Sequence, residues 1–282
     1  MPIPVPEALD ESAELAVAKA AQARRTLPRY LASSALAGVF VGVAVVLLLS
    51  VAGPLAASTS PATKLVQGAV FGVALTLVVF AGAELFTGNV MVMVHGVWAR
   101  RVSPAQLVAV WVASLAGNFA GSIGFAALVH GGGTLTGPGA DLVAAVVKAK
   151  DAATGPQLFW RSVLCNMLVC LALWMAARTR SDGAKLAVLW WALLAFVASG
   201  FEHSVANMTV FGLGIFDGTA TWAQLFRNLA WTVPGNVVGG GLLVGVAYAW
   251  TGTVTADASP SIVVAAPAPD PEPEPLPVPV AG

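Results

Sequence analysis

Charge is scarce in this chain. Its 282 residues hold 14 Lys and Arg against 14 Asp and Glu, or 10% charged, where a soluble domain carries about 25%. The net charge of zero gives no basic field for a nucleic-acid backbone, so no nucleic-acid partner is expected. Three isolated histidines and two cysteines make no metal set, and no cofactor motif stands out. Cys165 and Cys170 lie five apart in one predicted helix, roughly 140° round its axis, which places them poorly for a disulfide; they read as buried structural thiols. The opening "MPIPVPEALDESAELAVAKAAQARR" has no apolar h-region, so no cleaved signal peptide is expected, and only a short amphipathic helix near Leu15–Ala18. No nucleophile and base pair emerges, which argues against an enzyme.

Apolar residues fill the space that charge leaves. They make up 57% of the chain, at a mean hydropathy of +0.81, in runs that exceed the ~18 residues of a membrane span. Six segments are read, near 31 to 53, 65 to 98, 105 to 129, 159 to 176, 186 to 216 and 226 to 250. The fold class is therefore an all-α integral membrane protein. Residues 1–28 form an N-terminal amphipathic segment, 29–250 the six-span domain, and 251–282 a disordered Pro/Ala-rich tail. With the N-terminus inside, nine basic residues (Lys19, Arg24, Arg25, Arg29, Arg100, Arg101, Arg178, Arg180, Lys185) fall on the cytoplasmic side. Five (Lys64, Lys148, Lys150, Arg161, Arg227) fall outside. The positive-inside rule thus favours cytoplasmic termini in a plasma or inner membrane. "HGGGTLTGPGA" after the third span reads as a flexible external loop.

Polar residues at membrane depth reveal a repeat. "GAELFTGNV" and "GFEHSVANM" align Gly82 with Gly200, Glu84 with Glu202 and Asn89 with Asn207 at an offset of 118. The same offset carries "GNFAG" onto "GNVVG", pairing Gly117 with Gly235, Asn118 with Asn236 and Gly121 with Gly239. Three spans per copy is an odd number, so the copies must lie inverted in the bilayer, an architecture of channels and transporters. The second segment, from Leu65 to Ala99, would be about 52 Å long as one helix, against a ~30 Å core. Both the second and the fifth helix are therefore expected to break, at Glu84–Asn89 and Glu202–Asn207, where freed backbone groups need polar partners.

Within this frame Glu84 and Glu202 read as buried acceptors for the freed N–H groups, with proton carriage as the other reading. Asn89, Asn118, Asn207 and Asn236 read as hydrogen-bonding residues at small-residue helix contacts. His203 is not required by the repeat, since Leu85 occupies its counterpart; an ionisable ring at mid-membrane is a functional candidate. Two readings stand for Thr87, a hydroxyl offered to the same cavity or a helix-stabilising one. His95 and His130, near span ends, are expected at a surface or interface.

"AELFTGNVMV", "RSVLCNMLVCLALW", "ASGFEHSVANM" and "NLAWTVPGNVVGGGLLVG" resemble signature stretches of the formate/nitrite transporter family, a likeness that spans about residues 25 to 250. The resemblance implies an aquaporin-like protomer, a homopentamer with a pore in each subunit, and a small monovalent anion as substrate. Formate and nitrite are favoured, with hydrosulfide, acetate or lactate as alternatives in the same family. It also implies roles. His203 would be the central pore histidine, Thr87 the threonine on the mobile break, and Asn166 an asparagine near the histidine. Lys150 would be the vestibule cation, with Lys148 close enough to compete. Leu75, Leu85, Phe86 and Val169 would form the cytoplasmic constriction, Phe71 and Phe196 the external one. Gly38, Gly42, Gly241 and Gly245, on the first and last spans, would allow close approach of neighbouring protomers.

A bare anion crossing a dry ring pays several kcal/mol of desolvation, which its neutral acid does not. The expected mechanism therefore draws the anion in by cationic Lys150 and has His203 donate or share a proton between the constrictions. A neutral-solute facilitator of aquaporin type is a more distant alternative, because the Asn-Pro-Ala pair is absent.

Overall fold

The computed structural model describes residues 2–252, and every regular element among them is helical. The chain runs through α1 (Val5–Arg25), α2 (Leu27–Ala57), α3 (Thr63–Phe71), α4 (Val73–Phe80), α5 (Phe86–Trp98) and α6 (Pro104–Gly131). It continues with α7 (Pro138–Ala152), α8 (Gly155–Ala177), α9 (Asp182–Ala198), α10 (Ser204–Phe216) and α11 (Trp222–Val237). A π-helical segment, Val238–Val246, then leads into α12 (Ala247–Gly252). The tail expected to be disordered, from residue 253, lies outside the described residues.

Local chemistry sets the helix starts. Ser103 with Gln106, Thr154 with Gln157, and Thr221 with Gln224 form reciprocal capping boxes at α6, α8 and α11, each satisfying two orphan N–H groups. Proline occupies the first turn of α6, α7 and α8, where its missing N–H costs nothing. Five stretches are long and apolar enough to cross a membrane: Leu27–Ala57, Thr63–Phe80, Pro104–Gly131, Gly155–Ala177 and Trp222–Gly252. The remaining one, α9, has 17 residues and continues past a break into the 13 residues of α10.

Three elements differ from the sequence expectation. The N-terminal helix is 21 residues long, because Ala8, Ala13, Ala16 and Ala20 give it one small buried stripe. It is tied down at both flanks: Arg101 pairs with Asp10 and Glu14, Arg180 pairs with Glu7 and Glu11, and Ile3 N–H donates to Arg178 O at 2.8 Å. Between the third and fourth spans stands α7, where only a loop was expected; Pro138 at its start and buried Leu142, Val143 and Val147 explain it. The helix breaks fall at Ala81–Leu85 and Ser199–His203, a few residues earlier than expected, so that Asn89 and Asn207 lie inside α5 and α10. Gly82 (φ +76°) and Gly200 (φ +73°) start the two breaks in the left-handed region.

Glycines close the contacts between spans. A Cβ on Gly121 of α6 would lie 1.9 Å from Ala35 O of α2, and one on Gly239 would lie 2.1 Å from Val163 O of α8. The glycines given to protomer contacts serve inside the subunit instead. Gly38 abuts the Asn118 backbone, Gly42 abuts Phe125 and Thr209, and Gly241 and Gly245 abut Val90 and Val94. Helix approach this close needs hydrogen in place of a side chain, since backbone cannot move aside as a flexible side chain can. Gly121→Ala is expected to lose about 1–3 kcal/mol through overpacking and to lower the melting temperature in detergent. A melt that coincides with the unmodified protein would refute this account of the α2/α6 contact.

Candidate functional site

Each break begins a short helix whose first N–H groups would be orphans at membrane depth. Asn118 supplies the answer in the first half: its Oδ1 accepts from Phe86 N–H at 2.9 Å, while its Nδ2 donates to Glu84 O (2.9 Å) and Ser34 O (2.7 Å). Asn236 does the same in the second, accepting from Ser204 N–H at 2.9 Å and donating to Glu202 O (3.1 Å) and Ser162 O (2.8 Å). Both asparagines are fully buried. The backbone role expected of Glu84 and Glu202 thus belongs to the asparagines, whose amide offers an acceptor and two donors where a carboxylate offers acceptors alone.

The glutamates have other work. Glu84 takes both oxygens to Lys19 Nζ at 2.7 and 2.6 Å, and its Oε2 also accepts from Asn89 Nδ2 and Tyr30 Oη. Glu202 takes its Oε2 to Lys150 Nζ and to Asn207 Nδ2, both at 2.7 Å. Asn207 Nδ2 also reaches Asn228 Oδ1 at 2.8 Å, the place that Tyr30 fills in the first half. Lys19 and Lys150 come from α1 and α7, so each glutamate is met by a lysine from a helix earlier in the chain than its break. Lys19 has no 118-offset mate in the sequence, because α2 and α8 differ in length, and sequence reasoning missed it. A lone lysine on the buried stripe of an amphipathic helix was the available signal.

Lys150 was expected to attract the anion. Its ammonium is instead matched by Glu202, and the side chains are 16% and 5% exposed. Lys148 is exposed and does not line the cavity.

His203 caps α10. Ala206 N–H donates to His203 Nδ1 at 3.2 Å, so Nδ1 is an acceptor and the ring proton sits on Nε2. Nε2 lies 3.1 Å from Thr87 Oγ1, across the molecule at the start of α5. The two broken helices therefore meet at this one bond, with Thr87 fully buried and His203 at 4% exposure. Asn166 Nδ2 donates to Thr87 O (3.2 Å) and Asn236 O (2.6 Å), and Cys170 Sγ donates to Thr87 O. Asn166 thus braces both halves without bonding His203. Gly240, in the π segment, admits it: a Cβ there would lie 2.4 Å from Asn166 Nδ2.

A cavity of about 320 Å³ opens to the face opposite α1 and reaches His203, lined also by Phe71, Phe196, Lys64, Lys150, Arg161 and Glu202. Phe71 and Phe196 meet edge to face at 5.7 Å, and Phe196 stacks at 6.0 Å on the His203 ring. Leu75, Leu85, Phe86 and Val169, expected at the other constriction, are all buried. His130 is exposed and pairs with Asp217. His95 departs from expectation: it is 2% exposed, its Nδ1 lies 2.8 Å from Ser12 Oγ, and its ring packs on Trp174, because the long α1 covers it. Both cysteines are free and buried. Among the described residues no group of three metal-ligating side chains gathers.

The family model described as formate/nitrite transporter matches residues 7–250. The nitrite transporter NirC of Escherichia coli (strain K12) is 44% identical over 221 residues, 77% of this chain and 81% of that protein. Among solved structures, an FNT family ion channel superposes with a TM-score of 0.82 at 40% identity, covering 88% of this chain and 99% of that one. A pentameric formate channel with formate bound gives a TM-score of 0.68 at 28% identity, covering 81% and 98%.

The buried pair sets a test of stability. Lys150→Ala leaves a buried carboxylate without its cation and is expected to cost about 3–5 kcal/mol. Adding Glu202→Gln removes the stranded charge and should restore most of the melting temperature. A double variant no more stable than Lys150→Ala alone would show that the pair is not coupled.

Proposed function

Because the chain belongs to the formate/nitrite transporter family, we propose that it moves small monovalent anions, formate or nitrite foremost, across a membrane through a pathway within each subunit. The observation that carries this reading is the meeting of His203 and Thr87 at the inner end of a cavity open to one face. Hydrosulfide, acetate and lactate are the alternatives, and they share the same chemical requirement.

That requirement is a place where a small anion can leave water. Phe71 and Phe196 narrow the outer side; Leu75, Leu85, Phe86 and Val169 close the inner one. Between them His203 offers an Nε2–H as a hydrogen-bond donor, with the Thr87 hydroxyl beside it. The cap on Nδ1 bears on how His203 acts. Full transfer of the Nε2 proton needs an imidazolium, whose second proton on Nδ1 would face the Ala206 N–H. The ring therefore shares its proton in a hydrogen bond to the anion, and the anion takes its own proton from hydronium or water of the open vestibule, any hydroxide formed staying in that bulk water, before it enters the dry region. Lys150 and Glu202 hold the break in register, with Asn207 fixed against the same carboxylate.

With the two halves read as inverted, one amphipathic helix belongs to each face. The counted basic residues favour cytoplasmic termini, which makes the cavity at Lys150 the external vestibule. A ring of five subunits follows from the likeness to the pentameric channel, each subunit with its own path. A stable monomer in native mass spectrometry under mild detergent would argue against that assembly.

His203→Asn tests the mechanism. Asparagine is a good N-cap, so α10 keeps its first bond and the protein should assemble, while the reach of Nε2 is lost. A hydrogen bond to a charged group is worth about 1.5–3 kcal/mol, so formate flux in proteoliposomes is expected to fall roughly 10- to 100-fold, with a changed pH response. His203→Phe removes the cap as well and should close the path. Should His203→Asn carry formate at the unmodified rate with the same pH profile, the histidine is a cap and nothing more.

A further inference from the structure

The cavity above His203 is lined by three cations, Lys64, Lys150 and Arg161, and one acid, Glu202. Lys150 and Glu202 neutralise each other at 2.7 Å. The cavity's net positive charge therefore resides on Arg161 and Lys64. Among the described residues neither side chain has a hydrogen-bond or ion-pair partner, and both residues are exposed at the mouth. Arg161 is held in register with the site by its own backbone, because its carbonyl accepts from Glu202 N–H at 3.2 Å, next to His203 in the break. The 320 Å³ of the cavity, about ten water volumes, leaves room for a small hydrated anion before the Phe71 and Phe196 closure.

We propose that Arg161, assisted by Lys64, is the outer binding site for the transported anion, and that its guanidinium selects planar two-oxygen monoanions over anions whose charge sits on one atom. The inference rests on the transport reading above. Its chemistry is geometric: a planar fork of parallel N–H donors matches the two oxygens of formate or nitrite, whereas hydrosulfide presents a single acceptor. A lysine ammonium in the same place is a point charge with no such match. Exposure keeps the site weak, which suits a station that must also release its anion inward.

The test measures concentration-dependent uptake of formate and of hydrosulfide into proteoliposomes, with Arg161→Gln, Arg161→Lys and Lys64→Gln each confirmed to assemble as the unmodified protein does. At low ionic strength Arg161→Gln is expected to raise the half-saturating formate concentration about three- to fivefold, the scale of an exposed charge pair. That shift should shrink in 1 M salt, where the Debye length is about 3 Å. Lys64→Gln should shift formate the same way by less. Arg161→Lys should weaken formate while leaving hydrosulfide where it was. Equal effects of Arg161→Lys on both anions, or none on either, would overturn the selection by shape, and an unmoved formate curve in Arg161→Gln would overturn the site. A readout without flux separates this inference from the transport reading. Phenylglyoxal labelling of Arg161, followed by mass spectrometry, should be slowed by formate more than by chloride at equal ionic strength. If the unmodified protein carries no formate, the transport reading fails and this protection still decides the site; equal protection by both anions would end the proposal.

Discussion

A helix interrupted inside a membrane exposes donors and acceptors where water cannot serve them, and this one constraint organises the molecule. Asn118 and Asn236 each meet it with a single side chain that accepts from the new helix and donates to two carbonyls, one on the break and one on a neighbouring span. Because those carbonyls belong to Ser34 and Ser162, the spans α2 and α8 must come within reach of α6 and α11, and Gly121 and Gly239 exist where they do. The close glycine contacts are thus a consequence of the polar lock.

Each lock brings a charge with it. Glu84 and Glu202 are held beside the breaks and neutralised by Lys19 and Lys150 from helices that lie outside the spans. At the break itself the halves differ in one capping side chain: Leu85 caps nothing, whereas His203 takes the N-terminus of α10 with Nδ1 and turns Nε2 to Thr87. An exact duplication would have left an apolar residue there. This departure from the repeat sits where His203 meets Thr87.

Much of this was legible in the sequence, because in a chain with 10% charge each polar residue at membrane depth stands out. Gly82, Glu84, Asn89 and their mates recur at one offset since the break, the short helix and the connection to the third span have equal lengths in both halves. Lys19 and Lys150 escaped that comparison because the preceding spans differ in length, so equivalent residues carry unequal offsets. The burial of His95 could not be read from its distance to a span end, since the residue that covers it, Ser12, is 83 positions away. Hydropathy also gave no account of α7, whose apolar side is narrow. Asn118 and Asn236 were visible as residues; which of the asparagines and glutamates would serve the backbone depended on having donors as well as acceptors, a distinction that only the three-dimensional neighbourhood draws.

In both halves the lysine comes before its glutamate in the chain, by 65 residues for Lys19 and Glu84 and by 52 for Lys150 and Glu202. Synthesis runs in that direction. When each carboxylate emerges from the ribosome and is handed to the membrane, its counter-ion has already been made and belongs to an amphipathic helix that can rest at the surface. Each acid is therefore synthesised after the charge that neutralises it, so the order of residues along the chain sets the order in which the two charges become available.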